Sequence, residues 1–188
     1  GGLDGVAAAY AVHCDPSLPV GRIATRTGPI TSACDTIELE VAGPGGHTSR
    51  PHLTVDVIGA LAAVADGLPG LLTRRLPAQA GATLVWGTVQ AGDAANVIPQ
   101  QGLLRGTLRI ADRDAWAHAG DLVRELIEQL LAPYRAEYRV TYTPGVPPTV
   151  NEERAVAAVR EGGAAALGPG AVLTAPQSSG AEDFALML

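Results

Sequence analysis

Aromatic side chains are scarce here, 4% of the sequence with one Phe and two Trp, and cysteine occurs only twice. Few aromatics and a net charge of -6 at pH 7 argue against an RNA-recognition sheet, which stacks bases on surface aromatics of a basic face. The acidic balance gives no electrostatic reason to bind nucleic acid or an anionic membrane. Cys14 and Cys34 have no CxxC partner and make no disulfide framework; both are expected as reduced, mostly buried thiols. No apolar run reaches the ~18 residues of a membrane span. No charged n-region followed by an apolar h-region and cleavage site opens the chain, so a cytoplasmic protein is expected. A starting Met is also missing: the chain opens on Gly1-Gly2 and reads as a piece of a longer protein.

What is present suffices for a real core, since 188 residues make one large domain or one and a half small ones. Residues 6–12 are a short apolar run that fits a buried strand. From residue 35 the pattern sharpens: Ile37, Leu39 and Val41 alternate with Thr36, Glu38 and Glu40, a strand wet on one face. A helix follows from near Thr54, with Val57, Leu61, Val64 and Leu68 on one stripe and Gly67, Pro69 and Gly70 expected to stop it. Residues 83–89 and 101–110 read as strands, Asp112 as an N-cap, residues to about 131 as a helix, and Tyr138, Val140 and Tyr142 as the inner face of a last strand. Strand, helix, strand, strand, helix, strand predicts an α+β fold: a ferredoxin-like βαββαβ domain over residues 32–143, with a four-stranded antiparallel sheet and both helices on one face. The stretch 144–148, Pro-Gly-Val-Pro-Pro, is a stiff linker. Thr149 with Glu152 predicts a capping box for a helix to about Leu167. Residues 1–31 and 144–188 read as flanking pieces of an α/β domain.

Four residues draw attention as chemistry. His13 ends the first apolar run. His47 sits in the loop 43–52, Gly-Pro-Gly-Gly-His-Thr-Ser-Arg-Pro-His, where glycines able to take positive φ would project the imidazole away from both flanking elements; a solvated His on a Gly-rich connection is the plain alternative. Asn96 reads on its own as a turn residue and Arg109 as a solvated strand residue. His52 and His118 read as structural or surface residues.

Five ordered motifs then carry a resemblance over nearly the whole chain: His13-Cys14-Asp15-Pro16 with Gly21; residues 43–56, GPGGHTSRPHLTVD; residues 91–99, AGDAANVIP; Gly106-Thr107-Leu108-Arg109; and residues 147–151 followed by Glu182-Asp183-Phe184. Together they resemble the M20 metallopeptidases, in the amidohydrolase branch that includes hippurate hydrolases. The resemblance implies a lid and dimerisation domain inserted in a catalytic domain that holds two metal ions. It implies that His13 ligates a divalent metal, Zn or Mn, that His47 stabilises the tetrahedral oxyanion, and that Asn96 and Arg109 hold a substrate carboxylate. The implied substrate is an N-acyl amino acid, cleaved at its amide by a metal-bound hydroxide. The implied partner is a second copy through the lid. The family's Cys-x-His and Glu-Glu metal ligands precede these motifs and a further His follows them, so this chain alone is expected to bind no metal tightly and to be inactive. A non-catalytic ferredoxin-like dimerisation or ligand-binding module is the other reading.

Overall fold

The computed structural model describes residues 4–188. These divide into two units, one of Cys34–Gly145 and one of the residues to Ala33 with Val146–Leu188. The second unit begins with two short strands, β1 (Ile23–Thr25) and β2 (Gly28–Pro29). Residues 6–12 do not form the expected buried strand. They are irregular and mostly exposed, Val12 at 98%. A strand's N–H and C=O groups need a neighbouring strand, and none among the described residues pairs with this run.

The Cys34–Gly145 unit runs β3 (Asp35–Ala42), β4 (Gly46–His47), α1 (Val57–Arg75), β5 (Thr83–Ala91), β6 (Val97–Ile98), β7 (Gln101–Arg109), α2 (Arg113–Leu131) and β8 (Glu137–Thr143). Four of the strands make an antiparallel sheet in the order β5-β7-β3-β8. The period-2 alternation decides its two faces. Ile37, Leu39, Leu104 and Leu108 are fully buried in one cluster with the inner stripes of α1 and α2. On the opposite face Arg105 binds Glu38 at 2.6 Å, and Arg139 binds Glu40. Asp112 caps α2 as expected, its carboxylate accepting from the Ala115 N–H at 2.8 Å.

Helix α1 is longer than its sequence suggests. It does not stop at Gly67–Gly70 but continues through Pro69 to Arg75. A proline inside a helix removes its own N–H donor and crowds the carbonyl four residues back, at a cost of about 3 kcal/mol. That carbonyl is Ala65 O, and it accepts instead from the Trp86 indole N–H at 3.0 Å. Two further features repay the extension. Leu68 and Leu72 are buried in the last two turns, and Gly67 lets α2 approach, since a Cβ there would lie 2.8 Å from Leu130 Cδ2. The continuous helix is long and apolar enough, by length and composition, to cross a membrane, which the interrupted reading of the sequence did not allow; here its buried stripe belongs to the core. Trp86→Phe should therefore cost about 1–3 kcal/mol by orphaning the Ala65 carbonyl. Pro69→Ala, which restores the helical donor, should recover part of that loss. A double-mutant cycle by urea unfolding measures the coupling, and strictly additive effects would disprove the substitution of one donor for the other.

At the other end of β3 lies a buried carboxylate. Asp35 is fully buried. Its Oδ2 accepts from the Trp116 indole N–H at 2.8 Å and from the Tyr142 hydroxyl, and its Oδ1 accepts from the Gly145 N–H at 2.8 Å. Gly145 has to be glycine for contact reasons: a Cβ would fall 1.9 Å from the Cys34 carbonyl oxygen. Burial first, and then the bond to Asp35, holds the Tyr142 phenol well above its ordinary range. The folded state thus keeps this proton while an unfolded tyrosine ionises near pH 10. The corresponding stability is complete below about pH 10 and falls as pH climbs beyond it. Urea midpoints followed from neutral to strongly alkaline pH should show that decline, and Tyr142→Phe should flatten it.

The remaining elements are β9 (Val150–Asn151), α3 (Glu153–Leu167) and β10 (Val172–Thr174). β1 pairs with β10 in parallel and β2 with β9 antiparallel. The capping box expected from Thr149 is not formed. Glu152 itself is the N-cap, accepting from the Ala155 N–H at 2.8 Å, while the Thr149 hydroxyl is buried against Thr31 Oγ1 at 2.8 Å. Neither cysteine is fully buried: Cys14 is exposed and Cys34 half-buried, because each lies in irregular chain outside the core cluster.

Candidate functional site

Beyond the paired ends of β3 and β7, the two chains continue as a short ladder of their own. Gly43 N–H donates to Gln100 O at 3.0 Å. β4 then pairs with β6, Gly46 opposite Ile98 and His47 opposite Val97, and Thr48 N–H donates to Asn96 O at 3.1 Å. This ladder puts His47 opposite Val97 and Asn96 opposite Thr48, one residue further along; both His47 and Asn96 are exposed. The glycines of the loop serve close approach rather than a left-handed backbone. None of Gly43, Gly45 and Gly46 has positive φ. A Cβ on Gly45 would lie 2.5 Å from the Ile98 carbonyl oxygen, and one on Gly43 2.5 Å from Val55 Cβ.

The His47 ring is held by its own loop. Its Nδ1 lies 3.1 Å from the Ser49 amide nitrogen and 2.8 Å from Ser49 Oγ. Arg50 N–H donates to the His47 carbonyl at 2.9 Å and closes the turn. Beside the ring is an open hollow of about 470 Å³, lined among others by Gly45, Arg50, Leu53 and Thr54. Leu53 is 63% exposed there, an apolar wall next to a cation.

Arg109 is not gathered with these two. It ends β7, opposite Thr83, on the outer face that also carries Arg105 by strand alternation. At about 3.3 Å per residue, Gln101 and Arg109 are ~26 Å apart along the nine-residue strand, and the ladder of His47 and Asn96 lies beyond the Gln101 end.

His13 lies in the other unit. Its side chain is 84% exposed, with Nδ1 3.4 Å from Glu182 Oε2. Next to it, Asp15 is held below the ordinary carboxylate range, chiefly by the Ser17 hydroxyl at 2.6 Å and the Ser17 amide at 2.8 Å, with a smaller contribution from His13. Among the described residues no group of three or more His, Cys, Asp or Glu side chains could hold a metal ion. A tight zinc site collects three or four protein ligands, so the donors of this chain do not by themselves fit a metal centre. Two residues had no role in the sequence reading. Ser49 was readable only as a hydroxyl two places after a histidine in a tight loop, and Glu182 only as part of its Glu-Asp-Phe motif.

The sequence profile of a peptidase dimerisation domain, M20_dimer, matches residues 34–135. The chain is 48% identical over its whole length to a Rhodococcus jostii protein bearing the name glutamate–cysteine ligase 2-3, of which it spans 24%. It is 35% identical over 99% of its length to an N-acetylcysteine deacetylase of Bacillus subtilis, spanning 48% of that protein. Among solved structures it resembles the Bacillus subtilis YXEP protein, described as a dinuclear metal-binding peptidase of the M20 family, with 29% identity and a TM-score of 0.70 over 93% of this chain and 43% of that one. The chain therefore spans at most about half the length of these proteins.

Proposed function

The chain belongs to the M20 peptidase family through its dimerisation domain, and from that premise we propose that the whole protein is an amidohydrolase cleaving the amide bond of N-acyl amino acids. The observation that carries this reading is the pairing of β4 with β6, which brings the loop of His47 and the turn of Asn96 to one end of the β3–β7 ladder, while Arg109 lies at the other. We read the Cys34–Gly145 unit as the lid, and its strand order β5-β7-β3-β8 as the ferredoxin-like arrangement. The flanks are parts of the catalytic domain. Names of relatives support the substrate class: one is an N-acetylcysteine deacetylase and another an N-acetyldiaminopimelate deacetylase. Together with the similarity to a protein named for joining glutamate to cysteine, they make N-acylcysteines the first substrates to assay.

In this reading His47 donates to the carbonyl oxygen as charge develops on it, and Asn96 and Arg109 bind polar groups of the substrate, Arg109 its carboxylate. The ~26 Å between the two ends of β7 is far longer than an acyl amino acid. One lid copy cannot therefore offer both His47 and Arg109 to the same molecule. A two-fold homodimer removes the difficulty: each active site takes Arg109 from one subunit and His47 with Asn96 from its partner, as an interface that uses the same surface twice permits. A divalent ion, Zn or Mn, would supply Lewis acidity in the whole protein, with His13 among its ligands and Glu182 beside that imidazole. The present residues alone should be inactive, since no third His, Cys, Asp or Glu side chain among the described residues joins His13 and Glu182 in a metal site.

Arg109→Ala in the whole protein should raise KM for N-acetylcysteine with little change in kcat. The carboxylate is present in ground and transition state alike, so the lost interaction is uniform binding. A charge-assisted hydrogen bond of about 1.5–3 kcal/mol corresponds to roughly ten- to 150-fold in KM. An unchanged KM would remove Arg109 from the site.

A further inference from the structure

We propose that Ser49 is the positioning residue that fixes the tautomer of His47, directing the proton to Nε2. The inference rests on the reading of His47 as a hydrogen-bond donor to substrate, but its structural part can be judged apart from that reading. A backbone N–H can only donate. The Ser49 amide meets His47 Nδ1 at 3.1 Å, so Nδ1 presents its lone pair there and the single proton of the neutral ring sits on Nε2. The opposite tautomer would set two N–H groups against each other. The Ser49 hydroxyl, 2.8 Å from the same nitrogen, can donate or accept and so cannot decide the tautomer; the amide decides it, and the hydroxyl adds a second point of attachment.

The turn that holds the amide in place is braced on both sides. Arg50 N–H donates to the His47 carbonyl at 2.9 Å and Thr48 N–H to the Asn96 carbonyl at 3.1 Å. Ser49 is therefore held in place by three consecutive backbone donors, and the backbone of His47 is fixed opposite Val97 by the same ladder. The outcome is an imidazole that arrives with Nε2–H available to the hollow which His47 lines. A group oriented before substrate binds costs no reorganisation when charge develops.

The test is the ring nitrogen spectrum of the ¹⁵N-labelled chain above about pH 8, where an ordinary imidazole is neutral. His47 should be almost wholly Nε2-protonated, whereas the exposed His118 reports the mixture of a free imidazole. Ser49→Ala keeps the amide and should keep the His47 tautomer. A ring protonated on Nδ1, or a mixture equal to that of His118, overturns the proposal. A second arm uses kinetics of the whole protein. The Gln amide nitrogen reaches toward the Nε2 position and the Asn amide only the Nδ1 position, so His47→Gln should retain ~10-fold more kcat than His47→Asn. A Gln variant no better than the Asn variant overturns the role of Nε2–H. Both variants within twofold of the unmodified enzyme, together with the expected spectrum, would instead defeat the reading of His47 as a donor and leave the tautomer assignment standing.

Discussion

Replacing His47 by alanine in the whole protein is expected to lower kcat by about 10²–10³-fold, the effect of removing one donor from an oxyanion site, while KM moves little. The argument is one of timing. Charge on the substrate carbonyl oxygen exists only on the way to the tetrahedral intermediate, so a donor aimed at it stabilises the transition state and not the ground state. The extended β7 strand adds a sharper consequence. If His47 and Arg109 serve different active sites of a dimer, a mixed dimer of His47→Ala and Arg109→Ala subunits contains one site with both residues intact and one with neither. At substrate well below the KM of Arg109→Ala, where both variants are defective, mixing them should then restore about a quarter of the normal number of sites, given random pairing of subunits. If both residues served the site of their own subunit, no mixed dimer would contain an intact site and mixing would restore nothing. A kcat for His47→Ala within twofold of the unmodified enzyme would reduce the Gly-rich loop to a connection.

The second large effect is on stability. Asp35→Ala should cost the lid unit about 3–5 kcal/mol, a large share of the 5–15 kcal/mol that holds a typical domain folded. The substitution strands three donors that now converge on one buried carboxylate: the indole of Trp116, the hydroxyl of Tyr142 and the amide of Gly145. Asp35→Asn should rescue part of the loss. An amide offers one accepting oxygen: at the Oδ2 position it keeps the Trp116 and Tyr142 donors and sets its NH₂ against the Gly145 N–H alone, whereas the opposite orientation sets it against the other two. Urea unfolding of the three proteins measures this. Should both variants stay within 1 kcal/mol of the parent protein, the carboxylate is not what ties α2 and the end of β8 to the start of β3.

Where an element's own pattern decides its structure, the sequence was readable. Ile37, Leu39 and Val41 alternate because one face of β3 is buried, and Asp112 caps α2 because a carboxylate at that position can reach an orphan amide. Where a distant partner decides, it was not. Pro69 marks a helix end in any local reading, and only an indole on β5 makes the interruption tolerable. Residues 6–12 have the composition of a strand, but composition does not supply the neighbour that a strand requires. Three loop glycines look like left-handed turn residues, although close contact with Ile98 and Val55 is what excludes a side chain at two of them. The candidate site divides the same way. His47, Asn96 and Arg109 stand out through their motifs. That two of them share a ladder while the third lies at the far end of a strand follows only from register. Ser49 was invisible because a backbone amide leaves no mark in a sequence.

The contact of Asp35 with Gly145, pressed against Cys34, has a bearing on how such proteins are built. The first and last residues of the Cys34–Gly145 unit are clasped together, so the unit needs only one narrow opening in whatever chain carries it. A host interrupted at that point loses little chain entropy to the insertion, because the gap is already bridged by the guest. The same closure makes the unit a natural cassette: it should survive excision and expression by itself, and a short peptide should be able to replace it in its host. Any side chain at position 145 would prise the clasp open, since its Cβ would meet the Cys34 carbonyl oxygen at 1.9 Å.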